Sequence, residues 1–442
     1  MVIVGGRDDA DARRLMSFEG SYKASLSQSS FRLLHNPRVN RTQSYGVERQ
    51  RDLGGQRFAD AQAEITEWPG YTVTPLIALP ALAAQAGIAS LLYKDEATRF
   101  GLGSFKALGG AYAVFRLLAR EIETRTGTSG VRSADLTSGK YRDITREITV
   151  TCATDGNHGR SVAWGAKMFG SRCVIYVHET VSSGRVDAIA AFDAEVRRNP
   201  GNYDDAVRRA AQDASRNGWF VVSDTSYEGY VDVPRDVVQG YAVMVEEALG
   251  QMPGQLAPSH VFVQGGVGGL AAAVCGHLWE RYGSRRPRFV VVEPVNAACL
   301  YESASNGVLT AVHGRLETIM AGLACGEPSI VAWQLLKNGA DEFMAIDDAP
   351  AAQCMRLLAS GTGADPIIVA GESAVAGLAG MLLAAQEQKA RTALGLSKNS
   401  IVLVFGTEGD TDPELYRRIV GRDGADVRRS AAAQDPIERM PP

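Results

Sequence analysis

The sequence predicts an α/β fold of two open twisted, mostly parallel sheets with helices on both faces. Three observations predict it. Short apolar runs alternate with amphipathic stretches of helical period, the pattern of parallel strands covered by crossover helices. About eight to ten strands can be counted, which suits two sheets better than one. At 442 residues the chain exceeds one ordinary core, so two or three domains are expected.

In order, residues 1 to about 60 are polar with little periodicity, a flexible start and a lead-in arm. Trp68-Pro69-Gly70-Tyr71 and Thr74-Pro75-Leu76 read as turn and extended chain, because a residue before proline avoids the helical region. Leu76 to Ala86 reads as a helix with Pro80 near its start and Gly87 closing it. Leu91 to Tyr93 is a strand, Phe105 to Thr124 a helix, and 125–146 a polar insertion. Strands then follow at Glu147 to Ala153, Cys173 to Val177, Ala194 to Val196 and Trp219 to Ser223. Helices at His158 to Phe169, Ser183 to Ala191 and Tyr203 to Asn217 separate them. Beyond these come a helix from Pro234 to Leu249, with proline in its first turn, a strand at His260 to Gln264 and a helix at Ala271 to Tyr282. Arg288 to Glu293 is a strand, and 294–328 is irregular. Ile330 to Leu336, Ala351 to Ser360 and Val375 to Ala390 are helices, Ile401 to Phe405 the final strand and Pro413 to Val420 the final helix. The charged end, Arg422 to Pro442, is expected to fray.

Composition narrows the function. Hydrophobic residues at 45% and charged residues at 22% describe a soluble globular chain. A formal charge of -4 gives no reason to expect nucleic acid or an anionic membrane as partner. No apolar run approaches the roughly 20 residues that span a bilayer, and the N-terminus lacks a basic leader, so no signal peptide is read. The six cysteines, Cys152, Cys173, Cys275, Cys299, Cys325 and Cys354, show no CxxC pair. That argues against a zinc site or a disulfide scaffold, and no metal site is expected. The reading is a cytoplasmic globular protein.

Five stretches carry chemistry. In Gly103-Ser104-Phe105-Lys106-Ala107-Leu108-Gly109-Gly110 a lysine heads a helix in apolar, glycine-rich surroundings. Desolvation eases loss of its proton and makes an amine nucleophile; a lysine snorkelling at a helix start is the plainer alternative. Gly265-Gly266-Val267-Gly268-Gly269 joins a strand to a helix, where close backbone amides and the positive helix end suit a phosphate. Gly266-x-Gly268-x-x-Ala271 with Glu293 also imitates a dinucleotide fingerprint. Thr154-Asp155-Gly156-Asn157-His158 places an acid, an amide and an imidazole at another strand-to-helix crevice, where Asp155 or Asn157 could equally cap the helix. Ser223-Asp224-Thr225 and Gly406-Thr407-Glu408-Gly409-Asp410 also follow strands. Ser138-Gly139-Lys140 lacks the rest of a P-loop, and Gly371-Glu372-Ser373-Ala374-Val375 lacks the last glycine of a nucleophile elbow.

One lysine, a glycine loop for one phosphate and an Asn beside an Asp converge on pyridoxal phosphate. Ser104-Phe105-Lys106 with Gly265 to Gly269 resembles the fold-type II, tryptophan-synthase-β-like enzymes. More closely, Arg99 to Leu102, Phe105 to Gly110, Thr154 to Arg160, Arg185 to Ile189, Asn202 to Asp205, Glu228 to Tyr230, Ile319 to Pro328, Gly371 to Ser373 and Thr407 to Asp412 resemble the diaminopropionate ammonia-lyase family. The likeness runs from about Trp68 to Val420.

The resemblance implies fold type II with the active site between the domains. Residues 1–60 would be the arm, 61–106 with 224–421 the large cofactor-binding domain, 107–223 the small domain and 422–442 a flexible tail. It implies α,β-elimination of ammonia from 2,3-diaminopropionate, in either enantiomer, giving pyruvate and ammonia. Lys106 would hold the cofactor covalently and act as base on one face, with Asp155 on the other and Asp224 fixing the distal ammonium. Phe105, Asn157, Gly265, Gly266, Val267, Gly268, Gly269 and Thr407 would bind the cofactor, Asn157 at its phenolic oxygen and the glycine loop at its phosphate. A homodimer is implied. The chain departs from the family at Gly103-Ser104, where Asn-Ala is usual, and at Gly406, where a serine commonly faces the pyridine nitrogen; Thr407 would supply that hydroxyl instead. Residues Gly361 to Ile368 also differ from the family's version. Other readings are a serine or threonine dehydratase of the same fold, a nicotinamide-dependent dehydrogenase using Glu293, and a relative that binds without turnover.

Overall fold

The computed structural model describes residues 29–154, 156–201 and 203–434. Residues 1–28 of the expected start and arm and 435–442 of the expected tail lie outside them, as do Asp155 and Asn202.

Eleven strands are described: β1 (Phe31–His35), β2 (Leu76–Ala78), β3 (Ser90–Asp95), β4 (Thr149–Ala153), β5 (Arg172–His178), β6 (Glu195–Asn199), β7 (Phe220–Val221), β8 (His260–Gln264), β9 (Arg288–Pro294), β10 (Glu342–Ile346) and β11 (Ile401–Gly406). Seven form one sheet in the order β1-β10-β9-β8-β11-β3-β2, and four form a second in the order β6-β5-β4-β7. The smaller sheet is parallel throughout. In the larger one only the edges, β1 on β10 and β2 on β3, are antiparallel. Its inner strands read His-Val-Phe-Val-Gln, Arg-Phe-Val-Val-Val-Glu and Ile-Val-Leu-Val-Phe and are buried, as strands covered on both faces must be. The α/β class with two mostly parallel sheets is therefore the observed one.

Several elements differ from the sequence reading. Leu76–Ala78 is an edge strand, and the helix begins only at Pro80, whose missing N–H falls where no helical partner exists. β1 and β10 have no counterpart in that reading. β1 carries the arm onto the body: Asn36 Nδ2 donates to Ala340 O at 2.7 Å, and Tyr45 meets Trp279 edge-on with centroids 5.7 Å apart. The polar insertion holds two short helices, Ser133–Thr137 and Arg142–Thr145. The long helix expected from Val375 is two, Ala376–Gln386 and Gln388–Leu394, the second capped by the Glu387 side chain. Gly424–Gln434 is helical where the composition suggests frayed chain.

Five helices position the site: α1 (Lys106–Thr126), α2 (Asn157–Phe169), α3 (Ser183–Ala190), α4 (Asp232–Gly250) and α5 (Gly269–Tyr282). α1 packs between α2 and α4 at nearly backbone distance. A Cβ on Gly165 would lie 2.8 Å from Ala111 Cα, and one on Gly240 would lie 2.0 Å from Leu108 O. The Gly109-Gly110 pair of the lysine stretch serves the same approach, since a Cβ on Gly109 would lie 2.7 Å from Val237 O. Any side chain at these points would force the helices apart.

The loop entering α1 is anchored by a buried, charge-balanced network. Lys94 Nζ lies 2.7 Å from Glu247 Oε2, Arg99 Nε 2.8 Å from Glu96 Oε2 and Arg99 Nη2 2.6 Å from Glu247 Oε2. Burial alone would raise the Glu247 carboxyl, but its hydrogen bonds from Arg99 and its attraction to Arg99 and Lys94 hold it below its ordinary value. Phe100, next to Arg99, has a left-handed φ of 51° and packs its ring on Trp164 at 4.8 Å.

Candidate active site

The site lies in the cleft between the sheets, where loops follow the carboxyl ends of parallel strands. Lys106 is the first residue of α1. Its Nζ donates to Asp224 Oδ2 at 2.6 Å, and Asp224 sits in the loop after β7. The two side chains are 22% and 16% exposed. Burial alone would lower the lysine, yet the attraction of Asp224 outweighs it and holds the ammonium above its ordinary value. Asp224 is in turn held well below the carboxylate range, because attraction to Lys106 and the hydrogen bond from it outweigh its burial. The sequence suggested a lysine ready to shed its proton. The structure shows one kept charged by a partner 118 residues away.

Phe105 and Tyr241, from α4, wall the lysine, with ring centroids 4.6 Å apart. The Phe105 amide donates to Thr407 O at 3.0 Å, and the Gly409 amide to Gly103 O at 3.0 Å, so the lysine loop lies along the segment after β11. Gly103 has a left-handed φ of 73°, a region asparagine also tolerates, which accounts for that departure from the family pattern. Gly406 has a different cause. A Cβ there would lie 2.1 Å from Tyr93 Cζ, so the buried Tyr93 ring fills the space a serine would need. Thr407 is buried, and its Oγ1 accepts from Gln264 Nε2 at 2.7 Å, leaving the hydroxyl proton available to a ligand.

The glycine loop runs from β8 into α5. The Gly265 amide is occupied by Val292 O at 2.9 Å and the Gly268 amide by Gly265 O at 3.2 Å. Among the described residues the amides of Gly266, Val267 and Gly269 have no such backbone acceptor and remain for an anion. Gly266 and Gly268 take φ of 61° and 100°, which aims these amides one way at little cost. The irregular stretch lies over the loop, with Gly322 O 3.5 Å from where a Gly266 Cβ would stand. A Cβ on Gly269 would lie 3.8 Å from Tyr241 Cε2 and 3.9 Å from Asp224 O, so loop and lysine share one pocket.

Asn157 opens α2. Thr154 Oγ1 accepts from the Gly156 and Gly159 amides, both at 3.1 Å, and so shapes the turn without Asn157. Asn157 Nδ2 donates to Glu408 Oε2 at 2.5 Å, a bond that crosses the cleft. Arg185 of α3 crosses too, with Nη2 3.3 Å from Asp412 Oδ2 and 3.6 Å from Glu372 Oε1. Asp155 lies outside the described residues.

The sequence reading assigned no part to His158, Tyr241, Gln264 or Glu408. His158 and Glu408 stood inside stretches already singled out, and Gln264 left a trace as a polar end on an apolar strand directly before the glycine loop. Glu293, the acid needed for a dinucleotide reading, turns inward and caps the helix Cys299–Asn306 by accepting from the Leu300 and Tyr301 amides at 3.0 and 2.8 Å. That removes the ribose partner of the dehydrogenase alternative. The six cysteines form no disulfide, and no cluster of metal-binding side chains occurs among the described residues. No helix among them is long and apolar enough to cross a membrane.

The donor set fits pyridoxal phosphate. It comprises one amine, three amides without a backbone acceptor for a phosphate, and a hydroxyl with a proton to give. The pyridoxal-phosphate dependent enzyme family matches residues 67–405. The chain is 42% identical over 373 residues to the diaminopropionate ammonia-lyase of Escherichia coli strain K12, covering 82% of this chain and 92% of that protein. Its identity with the diaminopropionate ammonia-lyase of Salmonella typhimurium is 38% over 361 residues, covering 80% and 89%. The fold matches the crystal structure of the Escherichia coli enzyme in complex with an aminoacrylate-PLP azomethine reaction intermediate, at a TM-score of 0.79 and 37% identity, over 89% of this chain and 97% of that one.

Proposed function

The chain belongs to the diaminopropionate ammonia-lyases, within the pyridoxal-phosphate dependent enzymes, and from that premise we propose how its residues divide the work. The reaction is α,β-elimination of 2,3-diaminopropionate to pyruvate and ammonia, with pyridoxal 5'-phosphate as cofactor. When bound, the cofactor supplies an electron sink that eases loss of the substrate's Cα proton.

Lys106 would hold the cofactor covalently, the Gly265 to Gly269 loop its phosphate, Asn157 its phenolic oxygen and Thr407 its ring nitrogen, with Phe105 as a wall. A neutral hydroxyl at that nitrogen leaves it unprotonated, which favours elimination over transamination. Lys106 would take the Cα proton from one face. Asp155 is assigned the other face on its motif, and Asp224 holds the distal ammonium. The enzyme works in the cytoplasm as a homodimer.

The observation that carries the reading is the Lys106–Asp224 pair beside three free amides in one cleft. The test is pyruvate release from D- and L-2,3-diaminopropionate, with Lys106→Ala as control. Wild-type turnover that vanishes in the variant is expected; full turnover without Lys106 would overturn the assignment. Asp155→Asn should spare one enantiomer far more than the other, and equal losses would remove the two-base scheme.

A further inference from the structure

His158 carries a ring nitrogen facing the lysine pocket with nothing bonded to it. Its Nε2 lies 2.8 Å from Val222 O. A carbonyl oxygen only accepts, so the ring proton sits on Nε2 and Nδ1 presents a lone pair. Nδ1 is buried without a hydrogen-bond partner, on a side chain only 8% exposed. It stands 3.8 Å from Asp224 Oδ2. Two acceptors facing each other across such a gap repel unless a donor stands between them. The charged groups near this gap are Asp224 and Lys106, with Tyr241 and Cys325 on the lysine's side. Burial keeps the imidazole below its ordinary value, so the lone pair persists at neutral pH.

The chain itself shows which donor Asp224 accepts. Lys106 Nζ is a primary alkylammonium, and it is seated on Oδ2 at 2.6 Å. Once Lys106 is committed to the cofactor, that oxygen needs another cation. The distal nitrogen of diaminopropionate is a primary alkylammonium as well.

We propose that His158 Nδ1 and Asp224 Oδ2 together form a receptor for the substrate's distal ammonium, which makes His158 a specificity-determining residue against hydroxy amino acids. The inference rests on the function proposed above. Two acceptors and no donor hold the distal nitrogen as –NH3+. When a base takes the Cα proton, the Cα–H electron pair becomes the Cα=Cβ bond. The Cβ–N bond breaks with its pair going to nitrogen, and neutral ammonia departs. No proton has to arrive at that moment. A serine hydroxyl would need one to leave as water, and the receptor has none to give.

The test reads binding in the holoenzyme, through the cofactor's absorbance, with two ligands that lack a β leaving group. Alanine has no distal ammonium, and 2,4-diaminobutyrate has one. His158→Gln keeps an N–H for Val222 O but loses the lone pair. It should weaken diaminobutyrate binding on the order of ten- to a hundredfold and leave alanine unchanged. His158→Asn sets an amide oxygen where Nδ1 stood and should restore most of the loss. Equal weakening of both ligands, no weakening in His158→Gln, or no recovery in His158→Asn would overturn the receptor. If His158→Gln does not fold, the asparagine variant decides, by keeping or losing the preference for diaminobutyrate. A wild-type chain that prefers diaminobutyrate yet releases no pyruvate from diaminopropionate would strike the reaction and spare the receptor.

Discussion

Lys106 Nζ lies 2.6 Å from Asp224 Oδ2, an ion pair joining the head of α1 to the loop after β7. Burial lowers this lysine and Asp224 raises it, with the second effect winning. Asp224→Asn removes the strongest opponent of burial, and the Lys106 proton is then lost more easily than from an ordinary lysine at about 10.4. In cofactor-free protein at mildly alkaline pH, an amine-reactive reagent should label Lys106 on the order of ten times faster in the variant, read by peptide mass. An unchanged rate would mean that Asp224 does not govern the amine.

Tyr93 and Gly406 occupy the same space, since a Cβ on the glycine would meet the tyrosine ring at 2.1 Å. Installing the family's serine, Gly406→Ser, should cost about 1–3 kcal/mol, the usual price of overpacking. With Tyr93→Ala in the same chain the cost should shrink well below the sum of the two single changes. Denaturation midpoints of the four proteins check this.

The network at the mouth of α1 makes a stronger demand. Glu247→Gln leaves Lys94 and Arg99 with Glu96 as their remaining carboxylate partner, all with side chains buried. Breaking a buried ion pair from one side costs about 3–5 kcal/mol. Thermal unfolding should show the loss, and hydrogen exchange should quicken through Arg99 to Phe105.

A pH dependence follows from Glu372, whose carboxyl is raised by burial and by the neighbouring Glu408. Folding then favours the protonated acid. The contribution is full below the ordinary glutamate value of about 4.3 and is lost as pH rises through the raised one. Wild-type midpoints should fall relative to Glu372→Gln between about pH 5 and pH 9. Parallel curves would place the proton elsewhere.

The parallel strands, their helices, the lysine and the glycine loop were legible because local patterns carry them. β8, β9 and β11 are continuous apolar runs, and Gly265 to Gly269 is too glycine-rich for a plain turn. β1 escaped because an antiparallel edge strand, Phe-Arg-Leu-Leu-His, is half polar and gains its identity only by pairing with β10. The partners of the site were hidden for the same reason. Asp224 meets Lys106, Glu408 meets Asn157 and Gln264 meets Thr407 only after two sheets have closed on each other. Gly406 was a bare departure from the family pattern in sequence, and only the fold reveals the ring that stands where its side chain would be.

The near-contact of α1 with both α2 and α4 has a mechanical consequence. With Gly165 against Ala111 on one side and Gly240 against Leu108 on the other, α1 is seated on both neighbours with no side chain between, so a larger residue at either glycine would displace the helix that Lys106 heads. The depth at which the lysine amine enters the cleft is thus set by backbone meeting backbone, out of reach of any side-chain rearrangement.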